Sequence, residues 1–133
     1  MMLKSNPMEF ANFSKMYRLF LQTDSHLKST YSISFEQYRI MAYILSLKQQ
    51  EATVSEVGNH FGSSSPAISR KIRVLFNLHY IVDHADSHDR RVHWLNLTPE
   101  GKELTSTVAD FLVEKIPDIE TQVEELSKTD LNH

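Results

Sequence analysis

The stretch TVSEVGNHFGSSSPAISRKIRVL at residues 53–75, with DRRVHWLNLTPEG at residues 89–101, decides the fold. Thr53 and Glu56 have the spacing of a capping box and open a short helix in which Val54, Val57 and Phe61 point inward. Gly62 ends that helix. Ser63, Ser64 and Ser65 then lead into Pro66, which suits the first helical position because its missing N–H has no intrahelical partner there. One of these serines can cap the helix while another bonds a phosphate. The new helix is expected to reach about Leu78, with Ile68, Ile72, Leu75 and Phe76 on one face. The opposite face presents Pro66, Ala67, Arg70 and Arg73, flanked by Ser69 and Lys71. Residues 80–86 and 91–97 are short runs containing β-branched and aromatic side chains, separated by a polar Ser-His-Asp-Arg turn, and read as a hairpin. Two short helices, the second with small and basic side chains outward, followed at once by a charged hairpin, make a helix-turn-helix with a wing.

Working outward, Ser34 with Gln37 repeats the capping-box spacing, and Ile33 ahead of Tyr38 completes a hydrophobic staple. The helix they open, residues 35–47, is apolar nearly all round and is expected to be central. Phe10, Phe13, Tyr17, Phe20 and Leu21 recur at helical spacing, so residues 7–23 form an amphipathic helix whose aromatic face is too large to leave in water. Thr98 and Pro99 cap another helix, with Leu104, Val108, Phe111 and Leu112 on one side. Pro117 is expected to interrupt it, and a last helix follows with Ile119, Val123 and Leu126 at spacings of four and three, which together with Ile116 form an apolar seam. The expected fold class is mainly α with a small β-hairpin wing. Within a single domain spanning residues 1–133, a winged lobe at about 33–98 is flanked by dimerisation helices at about 7–30 and 99–133.

A chain of 133 residues, 41% apolar and 23% charged, can bury a core without disulfides or a structural metal. No apolar run approaches a membrane span and residues 1–10 lack a signal-peptide stretch, so the expected location is the cytoplasm. The absence of cysteine excludes disulfide switching, thiolate metal sites and cysteine nucleophiles. A net charge of −3 argues at first against a polyanionic partner, but the distribution reverses that reading. Residues 60–98 hold five bases against three acids, whereas residues 99–133 hold three bases against nine. The middle of the chain can face phosphates while the acidic end faces water or a partner.

Across residues 8–126 the sequence resembles the MarR family of winged helix-turn-helix transcription regulators. The resemblance rests on SFEQYRIMAYI at 34–44, on the two stretches quoted above, and most specifically on Asp89-x-Arg91 with Leu97-Thr98 and Gly101. It implies a homodimeric DNA-binding regulator, expected to act as a repressor on a pseudo-palindromic double-stranded operator. By position, Ser65, Ala67, Ser69 and Arg70 are the recognition residues, Arg91 enters the minor groove, and Asp89 orients it. Ser63, Ser64, Arg73 and Arg90 complete the candidate DNA-binding set. Two positions depart from the family pattern: His79 stands where a glycine usually ends the recognition helix, and Asp83 where a basic residue is common in the first wing strand. These bear on the helix exit and on the strength of backbone contacts.

His84, His88 and His93 cluster in the wing, with His26, His60 and His79 elsewhere, but a mobile hairpin offers no fixed tetrahedral geometry, and no metal or cofactor is expected. The family's effector crevice implies a small aromatic or anionic organic ligand, for which Tyr17, Phe20, Tyr31 and Tyr38 are candidate walls. The three glycines form no phosphate-cradling loop and no convergent catalytic set is visible, so an enzyme is not expected. A winged helix reused to bind protein is the stronger rival, against which Arg70 and Arg91 argue.

Overall fold

The computed structural model describes the backbone of residues 7–131, with the side chains of residues 10–115 and of Glu124. Five helices and three short strands follow in the order α1 (Pro7–Tyr31), α2 (Phe35–Ser46), β1 (Glu51–Thr53), α3 (Val54–Phe61), α4 (Ser65–Asn77), β2 (Ile81–Ala85), β3 (His93–Leu97) and α5 (Pro99–Leu131). The chain divides into two compact units. One is the continuous segment Ile33–Val108; the other combines α1 with α5 from Ala109 onward.

Local capping chemistry sets the boundaries within Ile33–Val108. Ser34 Oγ accepts from the Gln37 amide and Gln37 Oε1 accepts from the Ser34 amide, a complete capping box at the start of α2. Gln37 is buried and has a second task, because its Nε2 donates to the Lys71 carbonyl and ties α2 to α4. Thr53 caps α3 by accepting from the Glu56 amide, and Gly62 closes α3 at φ +62°, where a side chain would be strained. Ser64 is the N-cap of α4. Pro66 therefore occupies the second helical position rather than the first, where its missing N–H is equally harmless. Thr98 caps α5, its Oγ1 accepting from the Gly101 amide.

The core gathers Ile33, Ile40, Met41, Ile44, Ala52, Val57, Ile68, Ile72, Leu75, Ile81, Leu95, Leu97 and Val108. At the 25 cal/mol per Å² typical of apolar burial, each large member contributes about 1.5 to 3 kcal/mol. Phe76, assigned to the inner face of α4 from the sequence, is instead 47% exposed. Leu75 takes the core position, and the next residue lies about 100° round the helix.

The sheet is antiparallel in the order β1-β3-β2. The expected hairpin is β2 with β3, pairing Ile81 with Leu97 through to Ala85 with His93. β1, which pairs Glu51, Ala52 and Thr53 with Asn96, Leu95 and Trp94, was not anticipated. Three residues are too few to show a period.

Two helices run further than expected. α1 continues past residue 23 to Tyr31, burying Leu27 completely, and the chain turns at Ser32 with φ +63°. α5 continues through Pro117 to Leu131, so no separate last helix exists. A proline removes one donor and crowds the carbonyl four residues back, which a long helix can absorb as a bend. The seam of Ile116, Ile119, Val123 and Leu126 lies outside the described side chains.

Candidate nucleic-acid interface

The outer face of α4 has the composition expected from the sequence. Ser65, Pro66, Ser69, Arg70 and Arg73 are exposed and Ala67 is partly so. Lys71 is turned aside: its Nζ lies 3.1 Å from Glu36 of α2, so it serves packing between helices. The three serines take three different tasks. Ser64 Oγ accepts from the Ala67 amide as the cap. Ser63 borders a cavity of about 180 Å³ between Arg39, Phe61 and Lys71. Ser65 lines a groove shared with the wing.

His79 ends α4 in the left-handed conformation, φ +65°. The Tyr80 amide donates to the Leu75 carbonyl and the His79 amide to Phe76, the paired bonds of a Schellman motif. The helix exit thus keeps the geometry that glycine would favour, with a histidine strained into it.

The tip of the wing is organised by two aspartates. Asp86 Oδ2 accepts from the amides of His88 (2.9 Å) and Asp89 (3.0 Å), while its Oδ1 accepts from Trp94 Nε1 at 2.9 Å. These donors hold the Asp86 carboxyl below the ordinary aspartate range, the indole first and the two amides after it. Asp89 grips Arg91 at three points: Oδ1 accepts from Arg91 Nε (3.1 Å) and from its backbone amide (3.0 Å), and Oδ2 accepts from Nη2 (3.3 Å). The guanidinium, and then the amide, keep the Asp89 carboxyl below its ordinary range too. Arg91 nevertheless stays 91% exposed, so Asp89 aims the guanidinium without hiding it. Arg90 is exposed beside it.

Asp86 and Trp94 were missed from the sequence. An aspartate opening a polar turn, with the chain's single tryptophan two residues past Val92 on the returning strand, is the signal that was present.

The structure brings the start of α4 and the tip of the wing together. A groove of about 470 Å³ is lined by Thr53, Val54 and Ser55 from the start of α3, by Ser65 of α4, and by Arg91, Val92 and His93 of the wing. Arg70, Arg73 and Arg90 do not line it. Asp83, which replaces the expected basic residue, reaches across the hairpin to His93, with Oδ2 3.1 Å from Nδ1.

Of the aromatic residues considered for an effector, Tyr17 and Phe20 are largely exposed and Tyr31 is half-buried in the unit that contains α1. Tyr38 belongs to the Ile33–Val108 unit, where burial pushes its phenol above the ordinary value.

No family model matches the sequence. The transcriptional regulator SarA of Staphylococcus aureus is 21% identical over 100 residues, covering 75% of this chain and 81% of SarA. Among solved structures, MepR of S. aureus in complex with DNA superposes with a TM-score of 0.76 at 19% identity, covering 96% of this chain and 95% of MepR. A MarR/EmrR family transcriptional regulator from Acinetobacter sp. ADP1 gives 0.69 at 25% identity, over 92% of this chain and 85% of that one. AbsC, a MarR family transcriptional regulator from Streptomyces coelicolor, gives 0.74 at 17% identity, over 98% and 93%. These relatives are regulators and not enzymes, and the chain is a winged-helix protein with the MarR-family fold.

Proposed function

We propose that the chain is a sequence-specific double-stranded DNA-binding transcription regulator, a cytoplasmic repressor that acts as a homodimer on a pseudo-palindromic operator. The observation that carries this reading is the shared groove: the start of an exposed, basic α4 and the aimed Arg91 of the wing open onto one surface. In this reading α4 lies in the major groove, where Arg70 can pair with a guanine edge, and Arg91 enters the adjacent minor groove. The likeness to MepR, whose complex with DNA has been solved, supports it. Among the described residues no helix is long and apolar enough to cross a membrane.

The dimer is supported by the exposure of Phe10 (76%), Phe13 (63%) and Tyr17 (65%) along α1. Rings of that size left in water forfeit about 1.5 to 3 kcal/mol each, and a second copy would cover them. A two-fold pair would present two copies of α4 to half-sites about one helical turn apart, or a multiple of it. Release by a small aromatic or anionic organic effector completes the proposal. Such a ligand acts only through unequal affinity for DNA-competent and DNA-incompetent states.

Selection of duplexes from a random pool, followed by gel shifts at two salt concentrations, tests the reading. An enriched palindromic site bound with a steep salt dependence is expected. Failure to enrich any sequence would overturn it.

A further inference from the structure

We infer that the groove between α4 and the wing seats a DNA backbone phosphate, and that His93, held by Asp83, makes this contact only when its imidazole is doubly protonated. The inference rests on the DNA-binding reading above.

When α4 occupies the major groove and the wing the neighbouring minor groove, one sugar–phosphate strand separates the two grooves. That strand must cross the space between α4 and the wing, which is the groove bordered by Ser65 on one side and Arg91 and His93 on the other. Ser55 and Ser65 add hydroxyl donors to its lining. The strand is therefore presented with hydroxyls, a guanidinium and an imidazole.

The pairing of His93 determines what the imidazole can do. His93 Nδ1 lies 3.1 Å from the Asp83 carboxylate, an ion-pair separation at which a lone pair on that nitrogen would oppose those of the oxygen, so the proton of the neutral ring belongs on Nδ1. In the neutral ring, Nε2 is then an acceptor and repels a phosphate oxygen, which also only accepts. In the imidazolium, Nε2–H donates and the ring carries positive charge. A phosphate in the groove thus favours uptake of one proton, and by linkage a lower pH favours DNA.

The charged surroundings agree with this assignment. From β2 the group facing His93 is Asp83, and the residue across the ladder is Ala85. From the wing tip Arg91 lines the same groove, but Asp89 holds its guanidinium. Neither the start of α3 nor α4 contributes a charge to the lining. His84 pairs with Glu51 at 3.7 Å and alternates with Asp83 along β2, which places it on the other face of the sheet. The acidic residue at position 83 therefore tunes a backbone contact and does not merely weaken one.

Fluorescence anisotropy with a labelled duplex selected by the wild-type protein tests the inference between about pH 8 and about pH 6, where histidine changes charge. Affinity is expected to rise about tenfold over that range, and at the lower pH the log–log salt slope should steepen by about one unit. His93→Gln should keep the weaker high-pH affinity throughout, with unchanged circular dichroism, while His84→Gln retains the wild-type pH response. A wild-type affinity independent of pH, or the same rise in His93→Gln, would overturn the inference and leave the DNA-binding reading standing. A protein that selects no duplex at either pH would overturn both.

Discussion

The carbonyl oxygen of Tyr80 occupies the space in which a side chain on Gly101 would begin. The same carbonyl accepts from the Thr98 amide at 3.0 Å, and Thr98 Oγ1 donates to the His79 carbonyl at 2.7 Å. The start of α5 is thus clasped against the entry to β2, and the wing is anchored at its root. Gly101→Ala should destabilise the fold by about 1 to 3 kcal/mol, because backbone must move to admit the methyl group. Urea denaturation checks this; wild-type stability would mean that the clasp is loose.

His79 holds a left-handed conformation that costs an L-residue about 1 to 2 kcal/mol. His79→Gly should therefore raise stability, by about 1 kcal/mol after the extra chain entropy of glycine is subtracted. Thermal unfolding should shift upward by a few degrees with DNA affinity unchanged. A fall in melting temperature would show that the imidazole makes compensating contacts.

Trp94, the only tryptophan in the chain, donates to Asp86 and so reports directly on the wing. The Asp86 and Asp89 carboxyls both titrate below the ordinary aspartate value of 3.8. Groups lowered in the native state contribute fully above that value, and their contribution is lost as pH falls through the lowered one. Tryptophan emission should stay constant from neutral pH down to about pH 4 and shift only below it. Asp86→Ala should show the shifted emission already at neutral pH.

Arg70 and Arg91 should fail in different ways. Arg70→Ala removes a side chain placed for a base edge, so specific affinity should drop by about 1 to 3 kcal/mol while binding to random duplex is nearly kept. Arg91→Ala should lower affinity for all duplexes and flatten the log–log salt slope by about one unit. Asp89→Ala leaves the Arg91 guanidinium charged but no longer aimed, and its affinity should fall between wild type and Arg91→Ala. Titrations at several salt concentrations separate the three.

The aromatic face of α1 makes oligomeric state a direct readout. Light scattering at micromolar concentration should give a dimer, and Phe13→Asp should weaken it by placing a charge among the rings. A stable wild-type monomer would count against the homodimer.

Features that close within one turn of chain were legible from residue type and spacing. The capping pairs Ser34–Gln37 and Thr53–Glu56, the glycine stop at residue 62, the Thr98 cap and the Asp89–Arg91 grip each join residues two or three apart. Their bonds depend on residue type and spacing alone, as does the inward set Ile68, Ile72 and Leu75 of α4. Tertiary structure decided what joins distant residues. β1 exists only because residues 51–53 meet residues 94–96, over forty positions away, and no three-residue stretch carries that information. α5 passes Pro117 although the local signal favoured a break. The meeting of Ser55, Ser65 and His93 around one groove, and the turn of Asp83 toward His93, follow from how the hairpin folds back beside α3 and α4. Local hydrogen bonds need only neighbouring residues, whereas a binding groove needs the whole lobe to close.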